Sequence, residues 1–163
     1  MDNYEFAFAN YDDIPEIVNI YYSLIGTPGC TWEPDCPYSE WAEEDINNQR
    51  LYILKKDTKI VAVASMGDYD ELDDLQWSLK NPCELLRIGV LAPLRNQGIG
   101  TIILQHIIRT AKEKGYDGIR FIVSKTNPAA LALYDKNGFE KCGEVFRFDR
   151  DWYCYQMKFN TYE

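Results

Sequence analysis

At 163 residues the chain fits one domain, spanning 1–163 and able to bury roughly two thirds of the surface its unfolded form exposes. Its formal charge of −9 argues against a nucleic-acid partner, since phosphate backbones are bound by clustered Lys and Arg; it is compatible with a cleft that attracts a small cationic amine. No stretch approaches the ~20 apolar residues of a membrane span, and Met1-Asp2-Asn3-Tyr4-Glu5 carries neither a basic region nor an apolar signal core.

Tyr4, Phe6 and Phe8 alternate with Glu5, Ala7 and Ala9, the period of a half-buried strand. Asp12 or Asp13 then caps a predicted helix with Pro15 in its first turn, and Ile14, Ile17, Val18, Tyr21, Leu24 and Ile25 recur on one face. Gly26-Thr27-Pro28-Gly29 stops it. The following loop is aromatic and acidic, with Trp32, Glu33 and Asp35 between Cys30 and Cys36. Those two thiols with Cys83, Cys142 and Cys154 make an odd number without a short metal spacing, which favours a reducing cytoplasm over a disulfide framework. A short helix capped by Ser39, with Glu43 and Glu44 near its start, is expected next. Residues 51–55 and 59–67 flank Lys56-Asp57-Thr58 as a hairpin. The acidic run 68–74 has the composition of a calcium loop but lacks the glycine at its sixth position and the closing glutamate, so it reads as a solvated loop.

Residues 85–91 read as a buried strand and 101–114 as a helix, and between them lies Arg95-Asn96-Gln97-Gly98-Ile99-Gly100. A glycine turn opening a helix is an anion site, because the first helical amides lack intrahelical partners and the macrodipole is positive there. A P-loop would need Gly-Lys-Ser/Thr where the chain has Ile99-Gly100-Thr101, and a dinucleotide fingerprint would need glycine where Ile103 stands. Ile99, Ile102, Ile103, Ile107 and Ala111 give that helix an apolar face, with His106 beside it and Gly115 at its C-cap. A short strand is predicted at 119–124. Asn127 then caps a helix that starts at Pro128 and ends at Gly138, and two strands, 139–148 and 152–159, turn around Asp149-Arg150-Asp151.

The Arg-x-x-Gly-x-Gly turn, followed after one helix and one strand by Asn127, Ala130, Tyr134, Gly138 and Phe139 at Asn-x-x-Ala-x-x-x-Tyr-x-x-x-Gly-Phe spacing, resembles the GNAT superfamily of acyl-CoA-dependent N-acyltransferases. The resemblance is specific from about Glu84 to Phe159 and extends to the rest through the element order βααβββαβαββ. It implies an α/β fold: a mixed, mostly antiparallel sheet of about seven strands with helices on both faces.

The same resemblance implies roles. The amides of Gln97, Gly98, Ile99, Gly100 and Thr101, with the charge of Arg95, would hold the coenzyme A pyrophosphate. Ile88 and Val90 would offer backbone groups to the pantetheine arm, the Val90 amide facing the thioester oxygen, and Asn127 would make a polar contact to the arm. Tyr134 stands at the general-acid position, where a phenol of pKa ~10 can protonate a thiolate whose conjugate acid has pKa ~8.5. The glutamate often found on the strand before the pyrophosphate loop is replaced by Leu86 and Arg87, which leaves Glu84, further back, as the candidate base ahead of Glu33 and Asp35; an amine of modest pKa needs none. Trp32, Glu33 and Trp152, the last beside Tyr153, are the candidate acceptor-binding residues. His106 is expected to be packed, and Cys83 and Cys142 to be small core residues. The chain is thus expected to be a cytoplasmic N-acetyltransferase, monomer or homodimer, using acetyl-CoA and no metal on a primary amine of a small molecule or peptide. The alternative is a catalytically silent acyl-CoA-binding sensor or interaction protein.

Overall fold

Seven short segments, the central ones buried in continuous runs and the outer ones alternating, generate one sheet. A computed structural model of the protein describes residues 3–160, so the outermost bounds of the expected domain and the reading of Met1 and Asp2 lie outside the described residues. The elements are β1 Tyr4–Phe8, α1 Ile14–Leu24, α2 Tyr38–Asn47, β2 Leu51–Lys56, β3 Lys59–Gly67, β4 Pro82–Val90, α3 Ile99–Glu113, β5 Gly118–Ser124, α4 Pro128–Lys136, β6 Glu140–Arg147 and β7 Arg150–Lys158. The strands lie in the order β1-β2-β3-β4-β5-β7-β6. All neighbours are antiparallel except β4 and β5, as expected from the sequence for a mostly antiparallel mixed sheet.

The period of each helix decides which face it covers. Ile17, Ile20, Tyr21 and Leu24 of α1 and Tyr38 and Ala42 of α2 pack on Leu51, Ile53 and Val63. Ile20, absent from the predicted stripe, is fully buried, while Ile14, Val18 and Ile25 border that core. Ile99, Ile103, Leu104, Ile107, Ile108 and Ala111 of α3 form the opposite core with Phe121, Tyr134 and Tyr155. Helices therefore cover both faces.

Local chemistry refines one predicted terminus and corrects two. Asp13 stands at the cap of α1, as read from the sequence, but its carboxylate turns back to accept the Asn10 N–H (2.9 Å) while the Asn10 side chain accepts the Asp12 N–H (3.0 Å), a reciprocal box around the single turn 11–13 that precedes the helix. Ser39 caps nothing, because α2 begins one residue before it, after Pro37. The last hairpin turns at Phe148 and Asp149, both at φ +57°, instead of at 149–151. A two-residue hairpin turn needs left-handed backbone to match the strand twist, and that places Phe148 at the tip, 73% exposed.

In β4, Val63 pairs with Gly89 and Ser65 with Leu86, so Arg87 and Ile88 together face Ala64. This bulge puts Arg87 at φ +51° and sends its guanidinium toward α2. There Asp45, 3% exposed, accepts from Arg87 Nη2 (2.9 Å), Ser65 Oγ (2.9 Å) and Tyr69 Oη (2.7 Å), while Arg87 stacks on Trp41 at 4.8 Å. Asp45→Ala is expected to cost about 3–5 kcal/mol in denaturant unfolding, because it strands a buried cation. A loss below about 1 kcal/mol would mean that Arg87 reaches solvent instead.

Candidate active site

β4 and β5 pair only at Pro82–Gly118, Cys83–Ile119 and Glu84–Arg120. Beyond these the strands part and leave a cleft of about 650 Å³ with walls from both sides of the sheet. The Leu91 N–H donates to the Val61 carbonyl (2.9 Å) on the β3 side. By the two-residue alternation of a strand, the backbone groups of Val90 and Ile88 then face the open side, where no strand meets them.

At one end of the cleft lies the glycine turn. Gly98 stands before α3 at φ +82°, a conformation that costs glycine little, and no side chain caps the helix. The first helical bond runs from the Ile102 N–H to the Gly98 carbonyl, so none of the amides of residues 97–101 donates to a backbone carbonyl among the described residues. A Cβ at Gly100 would meet Leu133 at 3.6 Å and Val90 at 3.8 Å, ordinary contacts, so the fold alone does not require glycine there. Asn127 caps α4 by accepting the Ala130 N–H (3.2 Å) and also lines the cleft. Gly29 does have to be glycine: at φ +79° its Cβ would lie 2.2 Å from the Thr126 carbonyl oxygen, so the loop after α1 sits directly on the β5–α4 junction.

Two protonatable groups are buried along the cleft. Tyr134, 5% exposed, packs on Phe121 at 4.3 Å, and its hydroxyl has no hydrogen-bond partner among the described residues. Burial raises its pKa above that of an ordinary phenol. Glu84, 3% exposed, has an Oε1 with no hydrogen-bond partner. Its carboxyl is pushed up to about 7, first by burial and then by the neighbouring Glu71 carboxylate, with Arg120 pulling the other way.

Of the residues singled out from the sequence, Ile88, Val90, Arg95, Gly98, Ile99, Gly100, Thr101, Asn127, Tyr134, Glu84, Trp32 and Trp152 all line this one cleft. Gln97 and Glu33 lie outside its walls. The Glu33 carbonyl turns inward to accept from Tyr38 Oη (2.6 Å) while the residue itself stays exposed. Trp32 is held edge-on against Tyr21 at 5.4 Å, and Trp152 donates from Nε1 to the Arg147 carbonyl (2.8 Å). Tyr153 faces away, under Lys125 and Lys141.

The acidic loop is solvated at its carboxylates, as expected, but it is also pinned across the sheet: Tyr69 bonds Asp45, Arg120 pairs with Asp73 (2.5 Å), Arg147 pairs with Asp74 (2.7 Å), and Leu72 is buried. Glu71, Leu72 and Phe148 thereby join the cleft walls. Leu72 three residues after Tyr69 within the acidic run, with arginines on two distant strands, was the available signal. His106 is packed as expected, stacked on Phe6 at 4.7 Å. Cys83 is buried and its thiol pushed up to about 12, whereas Cys142, expected in the core, is exposed on β6 with its Sγ directed to the Cys154 carbonyl. Among the described residues no group of three or more His, Cys, Asp or Glu is arranged to hold a metal ion.

Residues 12–139 match the Acetyltransferase (GNAT) family. The chain belongs to the GNAT family. Among curated relatives, GNAT similarity extends to N-alpha-acetyltransferase 50 of Danio rerio, 39% identical over 57 residues, 34% of either chain. The match thus spans about a third of that relative's length. Among solved structures, an N-acetyltransferase from Staphylococcus aureus Mu50 superposes with a TM-score of 0.76 at 24% identity, over 96% of this chain and 98% of that one. The putative acetyltransferase yncA of Salmonella typhimurium, solved with acetyl-CoA, superposes with a TM-score of 0.77 at 19% identity, over 99% and 96%. At these identities the superpositions establish the GNAT fold.

Proposed function

We propose that this GNAT protein is an N-acetyltransferase that moves an acetyl group from acetyl-CoA directly to a primary amine of a small molecule or peptide. The observation that carries this reading is two protonatable side chains on one cleft opened by the parting of β4 and β5: Tyr134, whose hydroxyl has no hydrogen-bond partner among the described residues, and Glu84, whose Oε1 is buried without one. Three features suit acetyl-CoA: the open backbone edge at Ile88 and Val90, the free amides at the α3 turn beside Arg95, and the bare backbone of Gly100 on the cleft wall. All five cysteines are free thiols, which supports a reducing compartment such as the cytoplasm, and among the described residues no helix is long and apolar enough to cross a membrane.

When bound, acetyl-CoA supplies an activated thioester. The amides of residues 97–101 and Arg95 would hold its diphosphate, Ile88, Val90 and Asn127 its peptide-like arm, with the Val90 N–H directed to the thioester oxygen. Glu84, with a pKa near 7, takes one proton from the incoming ammonium. As the C–N bond forms and the C–S bond breaks, Tyr134 gives a proton to sulfur; the second proton lost from nitrogen restores the phenol by way of solvent in the cleft, and Glu84 releases the first to bulk water, so the net products are amide, thiol and one proton.

Acetyl-CoA is expected to raise the melting temperature, and turnover on at least one amine of a broad panel should follow. Binding without turnover on any amine would favour the silent sensor, and no shift with any CoA species at about millimolar concentration would overturn the assignment of the glycine turn. Gly100→Ala tests that turn separately. Because the fold tolerates a Cβ there, the variant should melt within about 2 °C of the parent but bind acetyl-CoA at least ~10-fold more weakly by calorimetry.

A further inference from the structure

A row of polar side chains crosses one face of the sheet beside the acidic loop. Glu84 of β4 opposes Arg120 of β5 in the short parallel seam, and Arg120 opposes Gln156 of β7. Neighbouring strands lie about 4.8 Å apart, so opposed residues send their side chains side by side from the same face. All three are buried. Gln156 is fully engaged: its Nε2 donates to Ser78 Oγ (2.6 Å) and Glu140 Oε1 (3.0 Å), and its Oε1 accepts the Ser78 N–H (3.2 Å). Arg120 is engaged on one side only. Its Nη2 donates to Asp73 Oδ1 (2.5 Å) and to the Tyr69 carbonyl (3.3 Å), and its guanidinium lies 5.6 Å from the centre of the Trp77 ring. Its buried Nε has no hydrogen-bond partner among the described residues, and neither has Glu84 Oε1 beside it. No ion pair joins Arg120 to Glu84 among the described residues. An orphaned donor and an orphaned acceptor thus stand on adjacent residues, while the guanidinium is committed to a carboxylate of the loop.

We propose that Arg120 is a positioning residue shared by two carboxylates, and that Asp73, holding it from the loop, limits how firmly it holds the ionised Glu84. Its bearing on catalysis rests on the reading of Glu84 as the base. As a carboxylate, Glu84 draws the Arg120 Nε–H; once it has taken the amine proton that attraction ends, and the guanidinium belongs to Asp73 alone. Loop and base compete for one cation, so a surface loop sets the strength of a buried base. The charges around Glu84 are few. Burial raises its carboxyl first, then Glu71 raises it, Arg120 lowers it, and Asp73 and Asp70 raise it. The adjoining Cys83 thiol, pushed up to about 12 by burial, stays neutral, and Gly67 opposes Glu84 on β3.

The test follows the Glu84 carboxyl directly, by carbon-13 NMR of the whole chain labelled at glutamate Cδ, with Glu84→Gln identifying the resonance. The pH profile of kcat/KM is recorded alongside, with acetyl-CoA and the amine turned over best. Asp73→Asn leaves Arg120 to Glu84 and should lower the carboxyl midpoint from about 7 by on the order of one pH unit, the limb of kcat/KM moving with it. Asp74→Asn is the matched control. It removes a carboxylate of like exposure, 65% against 66%, one position along the same loop and from a different arginine, and should leave the midpoint in place. Arg120→Gln should raise the midpoint by on the order of one unit or more. Because Asp73 is exposed, Asp73→Asn keeps the fold and decides the matter even where Arg120→Gln does not fold. A carboxyl midpoint unmoved by Asp73→Asn, or moved equally by Asp74→Asn, would overturn the sharing of Arg120. A carboxyl that shifts as expected while kcat/KM shows no matching limb would leave the sharing in place and remove Glu84 as the base.

Discussion

Tyr134→Phe is expected to lower kcat on the order of 10²-fold or more and to leave the Kd for acetyl-CoA within about twofold. The substitution removes one oxygen and keeps the ring that packs on Phe121, Phe139 and Tyr155. Since the hydroxyl has no partner among the described residues, its loss orphans no buried donor or acceptor, and the melting temperature should stay the same or rise slightly. Burial keeps the phenol protonated throughout the working pH range, so an acid role for it predicts no alkaline fall in kcat below pH 9. A kcat within threefold of the parent would remove Tyr134 from the chemistry and leave it as a wall of the cleft.

Glu84→Gln carries the second large effect, with opposite signs for turnover and stability. If the carboxylate is the base, kcat/KM of the parent rises through pH about 7 to a plateau. The variant should lose that limb and fall on the order of 10²-fold at pH 8. For stability, the folded pKa lies above the ordinary glutamate value of 4.5, so the native state holds the extra proton between 4.5 and about 7. Stability is therefore greatest below the unfolded value and declines as pH rises through that window. Replacing the buried charge with a neutral amide should stabilise the protein at pH 8, on the order of 2 kcal/mol, and the gain should vanish near pH 5. A variant less stable at pH 8 than at pH 5 relative to the parent would show that Glu84 is stabilised as a carboxylate.

What could be foreseen depended on how local the cause was. The glycine turn, the Asn127-Pro128 cap and the spacing to Tyr134 are set within a few residues, so their placement along one cleft followed from the sequence. The raised pKa of Glu84 did not, because its neighbour Glu71 comes from the loop 68–81, which is held by arginines on β5 and β6. Arg87, placed where a base was sought, is instead turned into α2 by a bulge that no pattern of side chains announces. Trp32 and Glu33 are adjacent in sequence yet only the tryptophan lines the cleft, since Tyr38 takes the Glu33 carbonyl and fixes which way that loop faces.

The parting of β4 and β5 has a mechanical meaning too. Three residue pairs are all that tie the half-sheet β1-β2-β3-β4 to the half-sheet β5-β7-β6 through their backbones. A ligand bonded along the free side of β4 would act as a brace between the halves, extending a short seam into a long one. Such a brace stabilises by RT ln(1 + [L]/Kd), so the chain's resistance to proteolysis would follow the supply of its acyl donor, and scarcity of that donor would shorten the lifetime of the protein that consumes it.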